Sequence, residues 1–286
     1  AQEERGKAAL PHRQPFHIPA VRYRQRFWTC RVLAAPWWPH YPIPMHPPTA
    51  LTIAGSDSGG GAGIQADLKT FLDHQVYGIS VVTALTAQNT QGVQAILPVP
   101  PEFLWQQLQS IRQDLPVGAI KIGMIGDTAR IQVVREFLSS WTNPPPVVLD
   151  PVLLSKNGTP LLDPSAQQEL LALAQQVSLF TPNLPEAEIL GPLPNIPTLL
   201  KGGHGHGPMV EDWLILPSGT YCFSHPRFSN PNTHGTGCTY SAAIAGYLAL
   251  GCRLSHAVQL AKEHITQSIA QSVRIGRHTA LNPLWR

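Results

Sequence analysis

An α/β fold, with a mostly parallel central sheet covered by helices on both faces, is predicted by three features of the sequence. From Leu51 onward, short apolar runs alternate with stretches of helical periodicity. Strand–helix–strand units of that kind build parallel sheets buried on both sides. Two glycine-rich turns, one near each end of this region, lead directly into helices, and a length of 286 residues suits one large or two small domains with a substantial core.

The elements follow in order. Leu51–Ala54 reads as a short buried strand, and the turn Gly55–Gly63 opens a helix with Ile64, Leu68, Phe71 and Leu72 on one face. Ile79–Leu85 is a second strand, Pro101–Arg112 a helix with proline at its start, and Ala119–Gly123 and Val147–Asp150 are strands flanking a helix over Asp127–Leu138. Ser165 and Gln168 have capping-box spacing before a helix ending near Gln176. Strand Leu179–Thr181, a short helix around Pro185–Leu190 and strand Leu199–Lys201 come next. Trp213–Leu216 and Tyr221–Phe223 form a hairpin across Pro217–Gly219, and Ser255–Arg274 closes the chain as a helix, with Val258, Ala261, Ile265, Ile269 and Val273 at helical spacing. Ligands of such folds collect at the carboxyl ends of the strands. The turn after Ala54, Asp150, the Asn183 turn and the Gly235 turn are therefore expected to converge there.

Charge is unevenly placed. Residues 1–48 hold seven of the 20 Lys+Arg and two of the 17 Asp+Glu, which leaves a slightly acidic body with 13 basic and 15 acidic residues. Nothing in that body advertises a nucleic-acid partner. The first 48 residues also carry nine prolines and no serine, so little regular structure is expected there, and neither is the apolar, serine-bearing pattern of a targeting peptide. Residue 1 is not Met and Met45 precedes the first strand; the segment is expected to be an upstream or fused extension without a part in function, with the working domain in 49–286. No run of about 18 apolar residues is present to span a membrane. Cys30, Cys222, Cys238 and Cys252 form no C-x-x-C pair, which argues against a disulfide framework or structural zinc and for a reducing cytoplasm.

The chemistry concentrates in Thr233-His234-Gly235-Thr236-Gly237-Cys238, which runs into Ser241-Ala-Ala-Ile-Ala245. A glycine turn at a helix start aims backbone N–H groups, and the positive end of the helix dipole, at an anion. Cys238 at its mouth would have its thiol pKa lowered and could act as a base; the plainer alternative is an ordinary loop with a small buried cysteine. The Gly55–Gly63 turn is not G-x-x-x-x-G-K-[ST], which excludes a Walker loop, and no convincing acidic partner supports a dinucleotide fold.

The run Leu51–Phe71, together with Thr83-Ala-Leu-Thr-Ala-Gln88-Asn-Thr-Gln-Gly-Val93, closely resembles the hydroxymethylpyrimidine/phosphomethylpyrimidine kinases of the ribokinase superfamily. The resemblance continues in family order through Lys121–Met124, Val148–Val152, Thr181–Ala187, Lys201–His204 and Asn232–Cys238, over roughly 49–275. It implies a ribokinase-like three-layer sandwich, a cytoplasmic homodimer, ATP and Mg²⁺ as cofactors, and a pyrimidine substrate phosphorylated twice. Gln88 resembles the pyrimidine-recognising glutamine, whose amide offers a donor and an acceptor; alternatively it satisfies a sheet edge. Gly55, Asp67, Met124 and Val152 resemble the rest of that pocket, although Asp67 could instead serve the dipole of its helix. Asn183 and Glu186, with the family's N-x-x-E spacing, and Asp150 resemble its nucleotide and metal shell; a capping pair is the alternative for Asn183 and Glu186. Lys201 and Gly202 fall on the nucleotide side. Gly235, Thr236 and Gly237 resemble the anion cradle, Lys262 the phosphate-neutralising lysine, and Cys238 the base that most ribokinase relatives replace by aspartate.

The sequence departs from the family in three places. Only Ala187–Leu200 stands where a longer insertion is usual, which puts one wall of the nucleotide pocket in question while leaving enough chain for a parallel crossover. Thr86 replaces an apolar residue beside Gln88. The loop Gly203-His-Gly-His-Gly-Pro208 has two histidines but too few ligands nearby for a metal. A pyridoxal-type kinase and a non-catalytic pyrimidine-binding protein are the alternative functions.

Overall fold

Thr49–Asp57 (β1) is the strand on which the rest is hung, and all but Ser56 of its nine residues are buried. The computed structural model describes residues 46–155, 157–193, 195–228, 234–276 and 278–281. The Pro- and Arg-rich stretch up to Met45, and Asn232 and Thr233 ahead of the second glycine turn, lie outside the described residues. After β1 come α1 (Gly63–Asp73), β2 (Tyr77–Asn89), β3 (Gly92–Pro98), α2 (Pro101–Asp114), β4 (Ala119–Ile122), α3 (Thr128–Ser139) and β5 (Val147–Leu149). A 3-10 turn, Pro164–Ala166, leads to α4 (Gln167–Ala174), β6 (Leu179–Phe180), α5 (Leu184–Leu190) and β7 (Thr198–Leu200). The chain closes with β8 (Met209–Leu216), β9 (Gly219–Pro226), α6 (Thr236–Ala249), α7 (Leu254–Ala270), β10 (Val273–Ile275) and β11 (His278–Ala280).

One nine-stranded sheet has the order β3-β2-β1-β4-β5-β6-β7-β8-β9. Its centre is parallel, β1 pairing with both β2 and β4 and the pattern running on through β7. Antiparallel pairs close both edges, β3 on β2 and the β8–β9 hairpin on β7. Alternation along β1 explains the layers. Leu51 and Ile53 point to a core with Leu104 and Leu108 of α2, Phe137 of α3 and Leu170 of α4, whereas Ala50 packs with Phe71 of α1, Ile244 of α6 and Val258 of α7. On the second face, alanines oppose alanines: Ala50 and Ala119 of the sheet meet Ala242, Ala243 and Ala245 of α6. Small side chains on both surfaces let α6 sit close to the strands and bring its N-terminus to their carboxyl ends.

Several expectations need correction. β3 has no counterpart among the strands expected from the sequence, because its residues are mostly exposed and carry no clean two-residue alternation; main-chain pairing to β2 makes it a strand. The capping box at Ser165 and Gln168 does not form. Asp163 instead accepts from the Ser165 N–H, and α4 begins later, at Gln167. The last helix stops at Ala270, so Val273 and Arg274 belong to β10, where Val273 pairs with Ala280; apolar spacing alone cannot see that a strand partner follows. The short crossover does preserve the sheet: α5 has seven residues, yet β6 and β7 pair in parallel and Asn183 bridges to Lys201.

Candidate active site

A cavity of about 640 Å³ opens where the parallel strands end. Gly55 and Asp57 of β1, Gln88 of β2, and Met124 and Val152 beyond β4 and β5 line it on one side. Asn183, Glu186, Lys201 and Lys262 line it elsewhere, together with the start of α6, Gly235 to Cys238, where a Cβ on Gly237 would stand 3.5 Å from Lys201 Nζ. Gly55 lacks the Cβ that would stand 3.0 Å from the Met124 sulfur, so the methionine can lie against the strand end. Val152 holds φ at 44°, a strained setting for a β-branched residue. Val152→Gly should therefore leave the thermal midpoint level or higher while weakening substrate binding, a split that unfolding scans and KM together would reveal.

The two glycine turns differ in what their amides face. In the first, Asp57 takes three N–H groups for itself, from Gly59 at 2.7 Å, Gly61 at 3.0 Å and Ala62 at 2.8 Å. The residue capping α6 is Gly235, at φ 76°, and no side chain caps this helix and no acidic residue occupies its first turn. The positive end of the helix dipole there favours an anion. A Cβ on Gly235 would fall 1.8 Å from the Gly61 carbonyl oxygen. Gly235→Ala is expected to displace this helix start and to lower turnover by about a hundredfold or more, with far-UV circular dichroism retained.

Three buried lysine–aspartate pairs surround the cavity. Lys121 contacts both Asp67 oxygens at 2.8 and 3.0 Å, with neither side chain exposed, and Thr52 donates to the same carboxylate at 2.6 Å. Lys201 meets Asp150 at 2.6 Å. Lys262 meets Asp212 at 2.5 Å, and the other Asp212 oxygen accepts from the Gly202 N–H at 2.9 Å. Burial works against the Lys121 ammonium, but Asp67, Cys238 and Asp150 more than offset it and hold the lysine above its usual range. Lys201 is likewise held up by Asp150 and Glu186 against burial.

Asn183 and Glu186 form a reciprocal capping box at the start of α5, each side chain accepting from the other's backbone N–H at 2.9 Å. The second Glu186 oxygen accepts from the Leu153 N–H at 3.4 Å. Burial raises the Glu186 pKa, with Lys201 pulling it down and Asp150 adding to the rise. On the opposite wall, Thr86 Oγ1 lies 3.2 Å from Gln88 Oε1, and Gln88 Nε2 lies 3.4 Å from His234 Nε2. His234 in turn sits 3.3 Å from Asp57.

A family model described as phosphomethylpyrimidine kinase matches residues 57–198 and 193–283. The chain belongs to the phosphomethylpyrimidine kinase family. The hydroxymethylpyrimidine/phosphomethylpyrimidine kinase of Haemophilus influenzae is 42% identical over 253 residues, a match covering 79% of this chain and 93% of that protein. Among solved structures, the Clostridium difficile phosphomethylpyrimidine kinase superposes with a TM-score of 0.67 at 39% identity, covering 77% of this chain and 99% of that one. The ADP complex of Bacillus subtilis pyridoxal kinase superposes with a TM-score of 0.72 at 30% identity, covering 82% and 96%. This kinase is thus an ATP-using phosphotransferase on the ribokinase-like architecture.

Nearly all the residues singled out from the kinase's sequence line the one cavity; Asp67 and Gly202 do not. Asp67 was expected against substrate or at a helix dipole. It lies in the second turn of α1, wholly buried, and reaches the cavity only through Lys121. Gly202 lies against β8, where a Cβ would meet the Glu211 carbonyl oxygen at 1.9 Å, and its N–H donates to Asp212. Cys238 is where it was expected, but its thiol is not lowered. Burial pushes it up to about 11, Asp67 and Asp150 reinforcing the rise and outweighing Lys121 and the Gly63 N–H, which oppose it. Three contributors were missed as site residues: Lys121, Asp212 and Asp57. Signals existed for two of them, since Lys121 interrupts the apolar strand Ala-Ile-Lys-Ile and Asp212 falls in phase with the inward Leu214 of β8.

Proposed function

We propose that this kinase phosphorylates the hydroxyl of 4-amino-5-hydroxymethyl-2-methylpyrimidine and then its monophosphate to the diphosphate, as a step of thiamine biosynthesis. The observation that supports the reading is that Gln88, Cys238 and the glycine turn at the start of α6 line one cavity. The Gln88 amide pairs with the ring nitrogen and exocyclic amine of an aminopyrimidine. Thr86 Oγ1, which also reaches the Ser56 carbonyl at 2.9 Å, and His234 flank that amide. The hydroxymethyl group then lies toward Cys238 and the Gly235–Cys238 amides, in line with the transferring phosphoryl group. Lys262 and Lys201 supply positive charge beside it.

Mg²⁺ fits the donor set in one way. Both Glu186 oxygens already accept backbone N–H groups and one Asp150 oxygen is paired with Lys201, which leaves each carboxylate lone pairs for water. Hard oxygen donors acting through water are what Mg²⁺ accepts. Glu186, Asp150 and the Asn183 amide would hold it there, and when bound it neutralises nucleotide phosphate charge. We further assign the kinase domain to 49–286, with 1–48 having no part in catalysis, and place the enzyme as a homodimer in the cytoplasm. Among the described residues no helix is long and apolar enough to cross a membrane.

The structural likeness to pyridoxal kinases favours a second reading, a pyridoxine- or pyridoxal-phosphorylating enzyme, since that substrate also carries a hydroxymethyl on a nitrogen ring. ATP consumption by full-length protein and by protein starting at Met45, with hydroxymethylpyrimidine, its monophosphate and pyridoxine as acceptors, distinguishes the two. Pyrimidine-dependent turnover, equal in both proteins, is expected. A strong preference for pyridoxine would replace the substrate, and binding without turnover would leave a binding protein.

A further inference from the structure

Away from the cavity, two histidines and an aspartate meet where α1, α6 and α7 pack together. We infer that Asp73, His74 and His264 form a binding site for a divalent transition-metal ion, with Zn²⁺ the best chemical match. The donor atoms are already at ligand spacing. His74 Nε2 lies 3.4 Å from His264 Nδ1, that nitrogen lies 3.6 Å from Asp73 Oδ2, and all three atoms fall within 4.8 Å of one another. A tetrahedral ion with bonds of about 2.0–2.1 Å requires neighbouring donors roughly 3.4 Å apart. The side chains of His264 and Asp73 are only 10% and 11% exposed, so the cluster is a built interior feature of the helix packing.

Local structure fixes the ring that would bind. His74 is the C-cap of α1, and Gln75 after it turns the chain at φ 58°. The His74 ring lies against Tyr247 at 4.3 Å between centroids and meets His264 edge-on at 4.7 Å. Gly246 of α6 makes room for it, since a Cβ there would stand 2.8 Å from His74 Nδ1. With Nδ1 turned to α6, Nε2 is the nitrogen presented to His264 and Asp73. Two imidazoles and one carboxylate suit Zn²⁺ and its neighbours in the transition series and suit Mg²⁺ poorly, which separates this site from the nucleotide's metal. None of the three residues lines the catalytic cavity. α1 and α7 both pack on α6, so an ion here would tie α1, the helix of Asp67, directly to α7, the helix of Lys262. Its role is structural.

The test uses the full, untagged chain freed of metal with a chelator and kept without nucleotide, titrated with Co²⁺ as a spectroscopic substitute and then with Zn²⁺. The expected result is a visible Co²⁺ absorption band of low-symmetry, four- or five-coordinate type, saturating at one equivalent and removed by Zn²⁺. The Zn²⁺ form should melt higher, by about 5 °C at a hundredfold excess over Kd. His264→Gln and His74→Gln should abolish the band and weaken Zn²⁺ binding more than about tenfold, whereas His256→Gln, on the exposed face of α7, should change neither. Asp73→Asn, a near-isosteric change, must also weaken Zn²⁺ binding, which keeps the test decisive if a histidine variant folds poorly. No band and no stabilisation in the wild type, or binding indifferent to His264 and Asp73, would mean a hydrogen-bonded triad only and would overturn the assignment.

Discussion

Lys121→Met is expected to cost this protein about 3–5 kcal/mol of stability, read as a lowered urea midpoint at unchanged slope. Lys121 and Asp67 are both wholly buried, and the Thr52 hydroxyl donates to the carboxylate at 2.6 Å. Without the lysine, Asp67 must either stay ionised in an apolar layer or take up a proton. Burial already drives its pKa up from 3.8, the lysine and Thr52 holding it back. Protonating a carboxyl of ordinary pKa near 4 at pH 7 costs roughly 4 kcal/mol, which agrees with the direct figure for a broken buried pair. The pH dependence follows in sign. In the variant the native state holds a proton that the unfolded state releases above its ordinary pKa, so the deficit should shrink as pH is lowered from 7 toward 5. Asp67→Asn combined with Lys121→Met, which removes both charges at similar volume, should recover most of the loss, because a neutral pair leaves no ion buried. A single variant losing less than about 1 kcal/mol, or a double variant no better than the single, would refute the account.

The same pair marks where reading the sequence stops. The parallel centre was legible because β1, β4 and β5 are short apolar runs separated by helices with clear apolar faces, and burial on both sides of a sheet leaves no other pattern. The turn into α6 was legible too, since Gly-Thr-Gly followed by small, helix-forming residues points to a tight turn at a helix start. Side-chain partners were not. Asp67 and Lys121 are far apart in sequence, and only the β1–β4 register brings the second strand beside the helix that follows the first. Asp57 was hidden for a different reason: its three backbone partners lie within five residues, and a glycine-rich turn carries no trace of which carboxylate will order it. The thiol of Cys238 was misjudged because position at a helix start is visible in sequence, whereas desolvation and the nearby charges of Asp67 and Asp150 exist only after folding.

That correction sharpens the prediction for Cys238. If its sulfur accepts the substrate's proton, Cys238→Ala should lower kcat by about 10²–10⁴-fold while KM for the pyrimidine stays near its wild-type value, because Gln88, Met124 and Val152 remain. A thiol cannot take a proton usefully, so the reactive species is the thiolate. With the thiol pushed up to about 11 in the protein alone, each unit of pH below that leaves ten times less of it. The wild-type kcat/KM, which reports the free enzyme, should therefore climb close to tenfold per unit between pH 7 and 10. In the alanine variant that slope should vanish along with the rate. Phosphoryl transfer through a loose transition state asks for positioning before proton removal, which is why the variant should keep some turnover through the Gly235–Cys238 amides and Lys262. A flat wild-type profile together with near-normal turnover in Cys238→Ala would remove the base role and leave the helix start and the lysines as the whole of the catalytic apparatus.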